Sequence, residues 1–307
     1  MAAASAPMHR DLIGYGKNYP IIEWPNQARI AVSLVIHYEE GAEISASKEP
    51  PEHESNIEGF GIVGGTGKRN WNVDSLFEYG SRRGIWRILD LLDRHDVKAT
   101  FFCSGRALER HPVAAREIVA RGHEVCGHGY RLEYEYALSL EKEREHIAKA
   151  IRAIEKTTGQ RPVGWNSRGS GPNTRELLVA EGGFTYDSDS YSDDLPFFVD
   201  VNGTRFLTIP YALDINDDKY WASLMLPGFT NSRDFFAMMR GSFDQLYAEG
   251  ATHPRMMSVG IHLRISGRPS RAKQIEDFIK YTKSFPRVWF ARRADIAKWW
   301  LEKYQHL

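Results

Sequence analysis

Apolar and polar positions alternate along this chain in two rhythms, one of strand length and one of helical period. The run RIAVSLVIHY (residues 29–38) is almost continuously apolar, which predicts a strand covered on both faces. GIWRILDLLDRHD (84–96) predicts a helix and VKATFFCSG (97–105) a strand. PVAAREIVARG (112–122) opens on Pro112, favoured in a first helical turn, and stops at Gly122; HEVCG (123–127) is the next strand. In EKEREHIAKAIRAIEKTTG (141–159), Ile147, Ile151 and Ile154 share one helical face and Gly159 terminates it. The alternation continues through a strand at 163–166, helix TRELLVAEGG, strands FTYDSD and RFLTIPYAL, and helix SRDFFAMMRGSFDQLYAEG. It closes with strand MMSVGIHL, helix RAKQIEDFIKYTKSF, strand RVWFA and helix ADIAKWWLEKY.

Seven or eight strands alternating with helices predict an α/β fold, a single distorted (β/α) barrel over residues 1–307. No Pro/Ser-rich linker or internal repeat divides the chain. The longest irregular stretch, residues 41–72, has a length typical of functional loops and is expected to be a lid or a subunit contact. Its GGTGK is not a phosphate loop: the first glycine of that motif is replaced by Ile62, and Lys68 is followed by Arg69.

Composition narrows the partners. Forty basic and forty acidic residues give zero formal net charge, so there is no electrostatic pull toward nucleic acid or an anionic membrane surface. No stretch approaches the roughly 20 apolar residues of a membrane helix. MAAASAPMHRDLIGYG lacks the apolar centre of a secretory signal, and a cytoplasmic protein is expected. Cys103 and Cys126 lie in apolar strands, where free buried thiols are the ordinary outcome.

In a barrel the working residues lie at the C-terminal ends of strands. The first strand ends in His37, Tyr38, Glu39, Glu40, and the third leads to His128, Gly129 and Tyr130. Further ends carry Arg168 in RGSGPN, then Asp187, Asp189, Asp193 and Asp194, and finally His262, Arg264 and Arg268. Two adjacent acids more often start a solvated loop, and a lone histidine is more often structural. Five successive strand ends delivering acid, histidine, arginine, acid and histidine to one barrel mouth point instead to catalysis.

The series HYEE, CGHGY, RGSGPN, DSDSYSDDLP and SVGIHLRISGRP resembles the motifs of the polysaccharide deacetylase superfamily. RDLIGYG, YEEG, EYGSR, GQRPVGW, GPNTR, YDSD and VWFARR are similar, more narrowly, to its cofactor-independent allantoinase branch, from about residue 10 to the C-terminus. The resemblance implies that Glu39 and Glu40 replace two aspartates, a general base and a metal ligand, and that His128 and Leu132 replace two histidine ligands. It implies that Arg168 orients the base, that SDDLP (Asp193, Asp194) supplies an acid, and that His262 is the general acid. Leucine cannot ligate, so the ligand triad is broken. His123 lies five residues before His128, and Glu133 or Glu135 are the other conceivable substitutes. Zinc ordinarily takes three protein ligands and an open position, so no metal and no cofactor are expected.

The expected activity is therefore hydrolysis of a neutral cyclic amide or ureide, as in the opening of allantoin to allantoate in purine catabolism. Glu39 is the expected base, Glu40 and His128 position water or a ring N–H, and His262 is the acid. Arg168, Arg264 and Arg268 are expected to donate to carbonyls, with Tyr130, Asp193 and Asp194 as further substrate contacts. Crowding of Glu39 and Glu40 is expected to raise one of their pKa values. The resemblance also implies a homo-oligomer, a tetramer. Three rivals stand beside this reading. They are a metal-dependent N-deacetylase of polysaccharide or peptidoglycan, a hydrolase of another cyclic imide, and a non-enzymatic binding protein on the same scaffold.

Overall fold

The computed structural model describes residues 10–43, 56–57, 61–62, 71–221 and 231–307. Its strands are β1 (Ile30–Tyr38), β2 (Asn56–Ile57), β3 (Gly61–Ile62), β4 (Thr100–Cys103), β5 (Glu124–Gly127) and β6 (Gly164–Trp165). They continue with β7 (Tyr186–Asp187), β8 (Phe197–Val201), β9 (Thr204–Thr208), β10 (Arg255–His262) and β11 (Val288–Phe290). The helices are α1 (Trp71–Tyr79), α2 (Ile85–Arg94), α3 (Gly105–Arg110), α4 (Pro112–Ala120) and α5 (Leu140–Thr158). They are followed by α6 (Thr174–Glu181), α7 (Ser232–Glu249), α8 (Leu263–Ser266), α9 (Pro269–Lys283) and α10 (Arg293–Lys303). None of the described helices is long and apolar enough to cross a membrane.

Nine strands form one curled sheet in the order β10-β1-β4-β5-β6-β7-β9-β8, with β11 paired to the first half of β1. All pairings in it are parallel except the β8–β9 hairpin. This is the expected distorted barrel. The segment after β9 crosses back to β10, where Gly260 N–H donates to Ile215 O at 2.9 Å and Asn216 bridges Gly260. The eight expected strands are present; the ninth is β8, joined to β9 through Asn202 and Gly203 at φ 53° and 82°. That pair of left-handed residues makes the tight hairpin connection that Asn-Gly favours.

Strand parity divides the core. Ile30, Val32, Leu34, Ile36 and Tyr38 pack outward against α2, α7 and α9. Ala31 and Val35 point into the barrel with Phe102, Cys126, Tyr186 and Trp300. Both cysteines are free and buried, as expected. Helix ends follow local chemistry. Ser139 accepts from Lys142 N at the start of α5, Gly159 (φ 74°) ends it, and Asn231 with Asp234 forms a capping box on α7.

A π-helical turn, Gly80–Gly84, joins α1 to α2, so helix begins well before the residue 84 at which the hydrophobic rhythm starts it. A Cβ at Gly80 would lie 2.2 Å from Glu40 Oε1, and one at Gly84 would lie 2.4 Å from Leu263 O. These two glycines let the turn press against β1 and α8. The expected lid at 41–72 falls mostly outside the described residues.

Candidate functional site

Parity decides the fate of the two acids that follow β1. His37 and Glu39 continue the inward-facing positions, whereas Tyr38 and Glu40 face the helix layer. Glu39 and Glu40 are both buried, at 5% and 3% exposure, so they do not begin a solvated loop. Glu40 is held from behind: its Oε2 accepts from Glu39 N (3.1 Å) and its Oε1 from Arg264 N (3.0 Å). Burial raises its pKa to about 7. One of the pair is raised, but chiefly by burial and only in lesser part by crowding, and the raised member is the one turned away from the barrel interior.

Glu39 is the centre of the site. Its Oε2 accepts from Arg264 Nη1; its Oε1 lies 3.2 Å from His128 Nε2, 3.5 Å from His37 Nδ1 and 3.8 Å from His262 Nε2. Parallel register explains the cluster. His37 is paired with His262 on β10 and with Phe102 on β4, so their side chains stand on one face in adjacent rows. The His37 and His262 rings stack at 4.1 Å and 9°. His128 enters just after β5, with Nδ1 donating to Asn166 O at 2.9 Å. His262 Nδ1 donates to Asp217 Oδ1 at 2.7 Å, and the Asp217 carboxylate also accepts from His262 N.

The charges follow. Burial alone would raise the Glu39 carboxyl, but the Arg264 guanidinium, with His262 and His128, holds it well below the usual carboxylate range. Burial disfavours a charged His262, yet Asp218, Glu39 and Asp217 together lift it to about 9. His128 is likewise raised, burial being outweighed by Glu39. His37 is driven down to about 3 by burial and by His262 beside it, so it is neutral. At neutral pH the site is an ionised carboxylate ringed by the Arg264 guanidinium, the His262 imidazolium, the His128 ring whose pKa Glu39 raises, and the neutral His37 imidazole. It can accept a proton at Glu39, donate one at His262 Nε2 and stabilise negative charge between them.

Several expected contacts are placed elsewhere. Tyr130 turns outward: its hydroxyl donates to Glu109 (2.8 Å) and Lys149 sits over its ring. Arg168 lies over Tyr134 and donates to Leu132 O, so the arginine that bonds Glu39 is Arg264 instead. Arg268 stacks on Tyr79 at 3.6 Å. Asp193 accepts from Tyr19 and from the backbone of Asp194 and Leu195, and Asp194 O accepts from Met256 N at the start of β10. His262 ends that strand, so the aspartates lie about 20 Å away at roughly 3.3 Å per residue. The acid that serves His262 is Asp217. Sequence reasoning also passed over His37, Tyr211 and Asn216. For His37 a signal existed, since a period of two puts it on the face of Glu39.

The proposed substitutes for a lost ligand do not converge either. Leu132 is buried with Ala42, Phe77 and Ala107 in an apolar cluster. His123 accepts from Ala99 N at the far end of β5. Glu133 and Glu135 lie beside His146, which accepts from Tyr130 N. The donor atoms of His37, Glu39 and His262 do come within 4.8 Å of one another, as do those of Asp217, Asp218 and His262. Neither set fits a divalent ion well. A metal would have to displace the His262 proton and share Glu39 with the Arg264 cation.

The polysaccharide deacetylase family model matches residues 70–186. A Schizosaccharomyces pombe protein assigned to the polysaccharide deacetylases is 37% identical over 97% of this chain and 98% of its own. The crystal structure of a probable polysaccharide deacetylase from Pseudomonas aeruginosa PAO1 is 46% identical, with TM-score 0.89 over 96% of this chain and 98% of that one. The crystal structure of the allantoinase PuuE is also 46% identical, with TM-score 0.90 and the same coverage. The motif order, the barrel and these relatives agree: the chain belongs to the polysaccharide deacetylase family.

Proposed function

We propose that the protein hydrolyses the C–N bond of a neutral cyclic amide or ureide without a metal, and that allantoin, opened to allantoate, is its substrate. The observation that carries this reading is the Glu39 cluster, in which Arg264, His128 and His262 occupy the surroundings where a metal-dependent relative would need ligands. The 46% identity to an allantoinase over nearly the whole chain supports the choice of ring.

The geometry is compatible with the following steps. Water adds to the ring carbonyl as Glu39 takes its proton, forming the C–O bond. Arg264 turns its hydrogen bonds from Glu39 toward the developing oxyanion, which strengthens Glu39 as a base while the charge appears. His128 holds water beside Glu39 Oε1. His262 Nε2 gives its proton to the ring nitrogen as the C–N bond breaks, and Asp217 stabilises the cation before transfer. A strained or electron-poor ring needs less electrophilic help than an acetylated sugar, so cationic side chains suffice. Incubation with allantoin, hydantoin, succinimide and N-acetylglucosamine oligomers tests the reading. Ring opening without acetate release is expected; acetate release from the oligomers with every ring intact would refute it.

The state of His262 fixes a pH dependence. Its protonated form is the working acid, so kcat/KM is expected to fall as pH rises through about 9. Asp218 contributes most to holding that pKa up, and it is 56% exposed at the mouth. Asp218→Asn should therefore move the basic limb to lower pH without loss of fold. Background-corrected rate profiles from pH 6 to 10 check this; an unmoved limb would separate it from His262.

A further inference from the structure

A hydrogen-bond chain runs into the cluster from the segment that closes the barrel, and each of its polarities can be assigned. Asp218 N–H donates to Asn216 Oδ1 at 2.8 Å, which fixes the orientation of that amide. The other end, Asn216 Nδ2, then donates to the Tyr211 hydroxyl at 2.9 Å. Tyr211 in turn lies 2.9 Å from His37 Nε2. All three side chains are buried, Asn216 at 3%, Tyr211 and His37 at 5% exposure. Tyr211 already accepts from Asn216, and its own hydrogen needs an acceptor. If His37 Nε2 carried a proton, the hydroxyl would face two donors and leave its O–H unmade in the interior, which costs about 1–3 kcal/mol. His37 Nδ1 would then turn a lone pair toward the Glu39 carboxylate at 3.5 Å, lone pair against lone pair. Both penalties vanish when Tyr211 O–H donates to Nε2 and the ring proton sits on Nδ1.

We infer that Asn216 and Tyr211 are positioning residues that lock His37 as its Nδ1–H tautomer, aiming that proton at Glu39 Oε1 and withholding from any metal ion the lone pair it would need there. His37 thus presents a fixed N–H toward the carboxylate across 3.5 Å, stacked flat on His262. Together with Arg264 it holds Glu39 beside His262, the second group that exchanges a proton in the reaction. The fold has made room for the relay: a Cβ at Gly260 would lie 2.1 Å from the Tyr211 hydroxyl and 2.8 Å from Asn216 Nδ2. The Arg293 guanidinium, 6.0 Å from the Tyr211 ring centre, lies across its other side. The effect on turnover rests on the hydrolase reading above. The tautomer does not.

Long-range nitrogen–proton correlation spectra of histidine-labelled protein at pH 7 report the tautomer directly. The expected result is a proton on His37 Nδ1 and an unprotonated, hydrogen-bonded Nε2, unchanged by micromolar zinc. Tyr211→Phe keeps the ring but removes the donor. With only the Glu39 carboxylate left to bias it, His37 should lose the hydrogen-bonded signature at Nε2 and its fixed ring setting, and kcat on the cyclic amide should fall by about tenfold, the weight of one hydrogen bond, with KM little changed. His37→Asn, whose amide N–H reaches the Nδ1 position, should retain more activity than His37→Gln, whose amide reaches the Nε2 position. A wild-type His37 protonated at Nε2, or a zinc-induced loss of its Nδ1 proton, would overturn the inference. The correct tautomer with undiminished kcat in folded Tyr211→Phe would overturn its role in turnover. Absence of any ring hydrolysis in the wild type would overturn the hydrolase reading and leave the spectra to judge the relay.

Discussion

Glu39→Gln is expected to lower kcat by about 10²- to 10⁴-fold, the usual weight of a general base. The substitution keeps the volume and an oxygen for Arg264, but it removes the ability to accept a proton from water. It also removes the charge on which His128 and His262 lean. A purely structural Glu39 would behave differently. Breaking a buried ion pair costs about 3–5 kcal/mol, so the loss would appear in the thermal midpoint rather than in turnover. Measuring both on the same preparation separates the cases. A folded Glu39→Gln enzyme with near-normal kcat would move the role to Glu40, whose carboxylate oxygens would then have to leave the backbone donors that hold them.

His262→Ala is expected to cost a similar factor, because the leaving nitrogen loses its proton source. The larger expectation concerns the pair. Glu39 Oε1 and His262 Nε2 are 3.8 Å apart although 223 residues separate them in the chain. Groups that act in one step are strongly non-additive, so the double variant should be little slower than the worse single one. Independent roles would instead multiply the two losses, toward the product of the single factors. Single-turnover rates for the four proteins on one ring substrate distinguish the outcomes.

Much of this arrangement is readable in the residues themselves. The strands and helices declare themselves because their apolar rhythms are long and their ends carry proline, serine or glycine. β8 and the short helices α1 and α3 are the exceptions: Phe197–Val201 is only partly buried, so its rhythm is faint, although Asn202-Gly203 marks the turn after it. Glu39, His128 and His262 were legible because each follows an apolar strand. Glu40 misled, since adjacency in sequence looks like adjacency in function. A strand sends neighbours to opposite faces, and Glu40 goes to the helix layer. Asp193 and Asp194 misled for a topological reason: they leave β7 toward the start of β10, not its end. Asp217, Asn216 and Tyr211 lie in the irregular segment closing the barrel, where no periodicity says which side chains turn inward.

The claim of metal-free ring hydrolysis is tested most directly by counting metal and turnover in the same tube. Protein stripped with a strong chelator, its residual metal quantified, is assayed on allantoin before and after zinc is returned. Undiminished kcat at well below one metal per chain, and no gain on zinc addition, is the predicted result. Activity that vanishes with the metal and returns in proportion to bound zinc would contradict it.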